Sequence, residues 1–316
     1  MPGPVLIYSR FPKKLMTRIG ERFDLIDAAG KPPHEVFTAA ELAQVRALIV
    51  AGGQPLGADV MASLPQLGAI VCYGTGYDGI DFSAAAARNI VVGNSPAANA
   101  AAVADLAIAL MLAAARNVVA ADQYVRSGGW ANATPAPMLA PPRGLTGARV
   151  GVYGMGEIGR RVAARAAAFE TEVAYHSRSR HDVPYAYHAE LADLAEWCDI
   201  LIVAVRAGPD NDRAVDAAVL KRLGPNGTLI NIARGSVVDQ AALVTALQER
   251  TIASAGLDVY ATEPHAPDAL TALPNVVLTP HIGGHTSQSH VAMQDCVIAN
   301  LGAFFAGEPL PYPVSG

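Results

Sequence analysis

Arg149-Val150-Gly151-Val152-Tyr153-Gly154-Met155-Gly156-Glu157-Ile158-Gly159 decides how this chain folds. An apolar run of strand length meets three glycines spaced GxGxxG, and an alanine-rich helical segment follows. Strand, glycine turn and helix in that order form a dinucleotide-binding fingerprint. Gly154 permits the tight turn, Gly156 removes the side chain where backbone must approach a pyrophosphate, and Gly159 lets helix and strand pack closely. The phosphates then meet the helix N-terminus. The loop Gly154, Met155, Gly156, Glu157, Ile158 and Gly159 is the first candidate cofactor site.

Downstream, strand-length runs recur at Glu172 to Tyr175, Ile200 to Val203, Thr228 to Asn231, Ser254 to Leu257 and Val276 to Leu278. Upstream, five more stand at Val5 to Tyr8, Asp24 to Ile26, Ala47 to Val50, Ala69 to Cys72 and Ile90 to Val92. Helical spacers separate them, and parallel strands need such crossovers. The expectation is an α/β protein with two doubly wound parallel sheets. Long helices are expected from about Ala100 to Ala115 and from about Ser287 to Phe305. Between Ser127 and Gly147 lies a polar stretch with Pro135, Pro137, Pro141 and Pro142, read as a dimerisation arm because long loops in compact chains are usually functional.

Composition bounds the function classes. At 316 residues, 52% hydrophobic and 16% charged, the chain has material for two buried cores. A net charge of −5 gives no basic footprint for nucleic acid. Asp105 and Arg116 break up the apolar stretch after Ala100, so no membrane span is expected. Cys72, Cys198 and Cys296 form no CxxC pair, which points away from zinc or any other metal and toward a reducing, cytoplasmic setting.

Cofactor choice is read after Glu172 to Tyr175. An acidic residue there would bond the adenosine ribose of NAD, but the chain supplies His176, Ser177, Arg178, Ser179 and Arg180. Two guanidiniums with interleaved hydroxyls suit a phosphate dianion, so NADPH is favoured. Asp182 stands too far along for the ribose on this reading, and NAD stays open.

Three later segments also end strands: Asn231-Ile-Ala-Arg234-Gly-Ser, Gly256-Leu-Asp258-Val-Tyr-Ala-Thr-Glu263-Pro264 and Thr279-Pro-His281-Ile-Gly283-Gly284. Each has a bland reading alone, as surface charge, helix cap or turn histidine. Together they offer a fork for a carboxylate, an imidazole to move a proton and an acid to poise it.

With these segments in order, and CYGTGYDGID in the first half, the chain resembles the D-isomer-specific 2-hydroxyacid dehydrogenase family over nearly its whole length. The GGQPLGAD and CYGTGYDGID segments look most like the branch of glyoxylate, hydroxypyruvate and hydroxyphenylpyruvate reductases, which commonly uses NADPH. The resemblance implies a flavodoxin-like substrate domain made of residues 1–98 and 286–316. A Rossmann-type cofactor domain, 99–285, is inserted into it across a hinge near Asn99 and His285. It implies that Arg234 grips the carboxylate and keto oxygen of a 2-keto acid, that His281 is the acid/base, and that Glu263 bonds the other ring nitrogen and keeps the acid loaded. It places Gly53 and the amides of Thr75 and Gly76 at the substrate carboxylate. It places Val205, Arg206, Ala233, Asp258 and Gly283 with the cofactor, Asp258 at the nicotinamide carboxamide. Tyr73, Leu56 and Met138 would tolerate apolar substrate groups, and residues 120–147 would join two subunits into a homodimer.

Three positions depart from the family pattern. Arg206 replaces a common proline and would stack on adenine or reach the 2′-phosphate, Asn211 replaces a common threonine, and His285 adds a second imidazole. Other readings stay open: an NAD-dependent D-hydroxyacid or phosphoglycerate dehydrogenase, and a non-catalytic dinucleotide sensor resembling a corepressor.

Overall fold

The computed structural model describes residues 3–131 and 144–315. The chain divides into two compact units, 1–99 with 284–316 and 100–283.

The unit built from both chain ends carries five strands, β1 (Val5–Ile7), β2 (Leu25–Asp27), β3 (Ala47–Ala51), β4 (Ala69–Tyr73) and β5 (Val91–Gly93). All pair in parallel in the order β2-β1-β3-β4-β5, the flavodoxin-like arrangement. Central strands of such sheets are covered on both faces, which is why β3 and β4 read as continuous apolar runs instead of alternating ones. Leu48, Ile70 and Cys72 face one core, and Ile49, Val71 and Tyr73 face the other. The second face is closed by the helix Ser287–Ala306, whose Met293, Val297 and Leu301 are buried against it. That helix starts at Thr286, whose hydroxyl accepts the Ser289 amide at 3.1 Å, and stops at Gly307, φ 75°.

The inserted unit holds seven parallel strands: β6 (Arg149–Tyr153), β7 (Glu172–His176), β8 (Ala186–His188), β9 (Ile200–Val203), β10 (Thr228–Asn231), β11 (Ser254–Leu257) and β12 (Val276–Leu278). Their order, β12-β11-β10-β9-β6-β7-β8, is that of a Rossmann fold with one added strand. Strand β8 is a correction to the sequence reading. It has three residues, lies at the sheet edge and buries none of them fully, so it leaves no apolar run to find. The helix Ala100–Ala115 has nine buried residues and packs beneath the sheet with Val150, Val152 and Ile230. Asp105, the charge in that run, lies at the surface and pairs with Arg165 at 2.7 Å. No single helix among the described residues is long and apolar enough to cross a membrane.

The proposed arm is not all loop. Val118–Arg126 forms a helix with no buried residue, and Val118, Val119, Val125 and Trp130 are exposed. Residues 132–143, including Met138 and the four prolines, lie outside the described residues.

Candidate active site

The register of the inserted sheet gathers its strand exits. Tyr153 pairs with His176 and Val203, Val203 with Asn231, Asn231 with Leu257 and Leu257 with Leu278. Gly154, Ser177, Ala204, Ile232, Asp258 and Thr279 therefore emerge along one edge. The strand order reverses between β6 and β9, and ligands of open α/β sheets bind outside the strand ends at such a point.

At β6 the three glycines have separable causes. Gly154 turns at φ 104°, and a Cβ there would stand 2.8 Å from Ala204 backbone and Val205 Cγ1. A Cβ at Gly159 would fall 1.8 Å from the Gly154 carbonyl oxygen, so helix and turn touch only without a side chain. Gly156 differs. It precedes the helix Glu157–Ala167 in extended conformation, and a Cβ there would meet nothing within 4 Å. Nothing among the described residues requires this glycine, and the space beside it fits a pyrophosphate at the helix N-terminus. Met155 is buried and Ile158 packs on the core, so they can offer only backbone; Glu157 pairs with Arg161 at 2.6 Å.

After β7, Ser177 is buried and its hydroxyl donates to Ser179 O at 2.6 Å. Arg178, Ser179 and Arg180 are exposed, and neither guanidinium has a hydrogen bond or ion pair among the described residues. Past β9, Arg206 is exposed, and Asn211 closes the loop with both ends of its amide. Its Oδ1 accepts the Gly208 amide at 2.9 Å and its Nδ2 donates to Arg206 O at 2.8 Å. This loop closure accounts for Asn211.

The imidazole and carboxylate meet directly. His281 Nδ1 lies 2.6 Å from Glu263 Oε2, and Glu263 Oε1 accepts the Tyr260 amide at 3.1 Å. Burial acts to raise the Glu263 pKa, but the hydrogen bond and charge of His281, the Tyr260 amide and the Arg234 charge outweigh it. The carboxyl is held below its ordinary 4.5. Arg234 reaches this neighbourhood because its loop packs on the Glu263 loop, a Cβ at Gly235 falling 1.9 Å from the Tyr260 carbonyl carbon. Asn231 shapes the loop, accepting from Ala233 N through Oδ1 at 3.0 Å and donating to Arg234 O at 3.0 Å.

Sequence reading missed how the histidine is held. His281 adopts a left-handed backbone, φ 53°, uncommon for a residue with a side chain. Its amide donates to Asp258 O at 2.9 Å. The buried Asp258 carboxylate accepts from Ile282 N and Gly283 N, each at 2.8 Å, and from Thr279 Oγ1 at 2.6 Å. Asp258 thus clamps the whole 279–283 turn. The only available hint was its place at a strand exit.

In the chain-end unit, two loops come into backbone contact. A Cβ at Gly52 would fall 1.7 Å from Gly76 O, which sets Gly53 beside Thr75 and Gly76. The amides of these three residues donate no hydrogen bond among the described residues. Leu56 is sealed in the core, so it cannot face a substrate as expected. Tyr73 is also buried, with its hydroxyl 3.1 Å from His290 Nδ1. His285 is exposed and sets its ring edge-on to His290, centroids 5.2 Å apart. Burial, then the charge of His285, lowers the His290 pKa.

A glycine loop at the switch point of a Rossmann sheet, sharing one edge with an imidazole–carboxylate pair, defines a dinucleotide-dependent oxidoreductase. Comparison with known proteins narrows the class. The family model "D-isomer specific 2-hydroxyacid dehydrogenase, NAD binding domain" matches residues 108–283. The chain is 42% identical to a 2-ketogluconate reductase of Gluconobacter oxydans over 271 residues, 85% of this chain and 86% of that protein. It is 36% identical to a hydroxyphenylpyruvate reductase of Plectranthus scutellarioides over 311 residues, 98% of each. A solved NADPH-dependent glyoxylate/hydroxypyruvate reductase from Sinorhizobium meliloti, in complex with NADP and malonate, superposes with a TM-score of 0.92 at 39% identity, covering 99% of this chain and 97% of that one. The chain belongs to the D-isomer-specific 2-hydroxyacid dehydrogenase family.

Proposed function

We propose that the protein reduces a small 2-keto acid, of the glyoxylate, hydroxypyruvate or aryl pyruvate type, to the D-2-hydroxy acid with NADPH. The observation that carries the chemistry is the 2.6 Å contact between His281 Nδ1 and Glu263 Oε2. With Nδ1 engaged, Nε2 is the nitrogen left for a substrate oxygen. When bound, the nicotinamide supplies a hydride to the keto carbon. His281 donates a proton through Nε2 to the oxygen, which gains alkoxide character as that carbon is reduced. Glu263 fixes the ring and offsets the charge of its protonated form. Arg234 holds the carboxylate and keto oxygen, a task its planar fork suits. The amides of Gly53, Thr75 and Gly76 receive the carboxylate.

On the cofactor side, Gly154 to Gly159, Val205, Arg206, Ala233 and Gly283 are the proposed contacts. Asp258 takes the carboxamide with the lone pairs its three loop bonds leave. Preference for NADPH is supported by Ser177, Arg178 and Ser179 in place of an acid, and by the NADPH-dependent relative of known structure. The exposed apolar side chains of Val118–Arg126 support a homodimer through residues 120–147. A cytoplasmic location completes the proposal.

The test is a panel of glyoxylate, hydroxypyruvate, phenylpyruvate and 2-ketogluconate, each with NADPH and with NADH. Oxidation of NADPH by at least one acid, with NADH much slower, is the expected result. Tight NADPH binding without turnover on any acid would refute the enzyme reading.

A further inference from the structure

Two consecutive peptide planes carry two of the three amides of the carboxylate cradle, those of Thr75 and Gly76. A trans peptide is planar, so its N–H points opposite to the C=O of the same unit, and fixing one end aims the other. The Thr75 amide shares its plane with Gly74 O, which accepts the Ser95 amide at 3.0 Å. The Gly76 amide shares its plane with Thr75 O, which accepts Asn94 Nδ2 at 2.8 Å. Both planes are held at their carbonyl ends by consecutive residues at the exit of β5. Each such bond also polarises its peptide and strengthens the N–H at the far end as a donor. The Thr75 hydroxyl is occupied separately, 2.7 Å from Asn99 Oδ1 and 3.2 Å from Ser95 O.

The holding residues are themselves held by the last residues of the chain. Asn94 N donates to Tyr312 O at 3.1 Å, and Asn94 O accepts Asn300 Nδ2 at 3.0 Å. Asn300 Oδ1 accepts Tyr312 N at 3.2 Å, closing a ring of three residues. Asn300 is fully buried and Asn94 nearly so. A Cβ at Gly93 would stand 2.9 Å from Asn300 Nδ2, so the carboxamide enters because that position is glycine. The tail stays in register through the Gly93 to Pro313 bridge and through Val314 N on Val92 O at 2.9 Å. A buried amide is costly unless its polar atoms are partnered, and both carboxamides here act on main chain at the cradle or its support.

We propose that Asn94 is a positioning residue for the substrate carboxylate, aiming the Gly76 amide through Thr75 O, and that the C-terminal tail sets substrate affinity by holding Asn94. This rests on the reading of Thr75 and Gly76 as the carboxylate cradle. Asn94 contributes only its side chain to Thr75 O, while its main chain makes the ring with Asn300 and Tyr312. Asn94→Ala therefore removes the aiming bond and leaves the ring.

The expected result for Asn94→Ala is a rise of about tenfold in KM for the keto acid, the size of one weakened hydrogen bond to a charged group. Turnover stays within about threefold and NADPH affinity is unchanged. Tyr312→Pro removes the amide that bonds Asn300 Oδ1 and provides a second variant if the first fails to fold. It is expected to raise KM in the same direction by a few-fold. KM values within twofold of wild type in whichever variants fold would overturn the proposal, as would parallel losses in turnover and NADPH affinity. Backbone amide NMR of the wild type with oxamate, a keto-acid analogue with a carboxylate, separates the two levels. Unmoved Thr75 and Gly76 resonances would refute the cradle and this proposal together. Shifted resonances with an unchanged KM in Asn94→Ala would refute the positioning role alone.

Discussion

Replacing Gly156 and Gly159 by alanine should damage the protein in opposite ways. At Gly156 the added methyl enters open space and the backbone is already extended, φ −77° and ψ −161°. Alanine adopts that conformation without strain. A small gain from a less flexible unfolded chain is offset by alanine's weakness as an N-cap, so stability without cofactor should change by less than about 0.5 kcal/mol. With cofactor the same methyl occupies the approach to the pyrophosphate. Overpacking of that kind costs about 1–3 kcal/mol, which weakens NADPH binding roughly 5- to 150-fold. At Gly159 the methyl would lie 1.8 Å from Gly154 O, well inside contact distance, so helix and turn must separate even without ligand. A loss of about 3 kcal/mol or more is expected, lowering the melting temperature of the inserted unit, 100–283, by roughly 6–12 °C. Calorimetric melting of the cofactor-free variants, with titration of NADPH into each, measures both quantities. Wild-type NADPH affinity in Gly156→Ala would show that the pyrophosphate does not approach there. A large drop in its melting temperature would refute the claim that its glycine serves the ligand and not the fold.

Three further outcomes test the proposed roles. His281→Ala should lower reductive turnover about 100- to 10,000-fold with NADPH affinity nearly intact; a loss of only a few-fold removes it as the proton donor. Because the Glu263 pKa is held below 4.5, its contribution to stability is present above that pH and is lost as pH falls through the lowered value. Urea unfolding should therefore show wild type about 1 kcal/mol more stable than Glu263→Gln at pH 7, with the gap closing in acid; a gap independent of pH would mean another cause. Arg178→Ala should weaken NADPH by about 2 kcal/mol, roughly 30-fold, and leave NADH almost unchanged, as direct binding titrations would show. Equal effects on both cofactors would make Arg178 a solvated surface charge.

How much of the molecule is legible in its sequence depends on how local each cause is. The glycine loop was legible because its spacing is local: Gly154 takes a positive φ and Gly159 packs on Gly154 five residues away, although the Gly154 contact with Ala204 and Val205 is not local. Long buried strands such as β4 and β9 declared themselves as apolar runs, whereas β8, a short edge strand, did not. Arg234, Glu263 and His281 were found as residue types after strands. The parts that hold them were not, because Asp258 on the 279–283 turn and Gly235 against Tyr260 join distant stretches of chain. Leu56, expected to tolerate an apolar substrate group, is instead core, since exposure depends on what packs from elsewhere. The Asn94, Asn300 and Tyr312 ring spans more than two hundred residues and has no signature at all.

The strand order of the inserted sheet bears on how such a protein could be changed. Five strand intervals separate β7, which carries Ser177 and Arg178 at its exit, from β12, which leads to His281. At about 4.8 Å per interval that is roughly 24 Å, beyond the reach of any side chain. If Ser177 and Arg178 select the cofactor and His281 moves the proton, as proposed, the first pair can be exchanged as a block without disturbing the second. On the proposed roles, selection acting on redox supply and selection acting on substrate turnover would fall on opposite flanks of one scaffold, and each could vary while the other stands still.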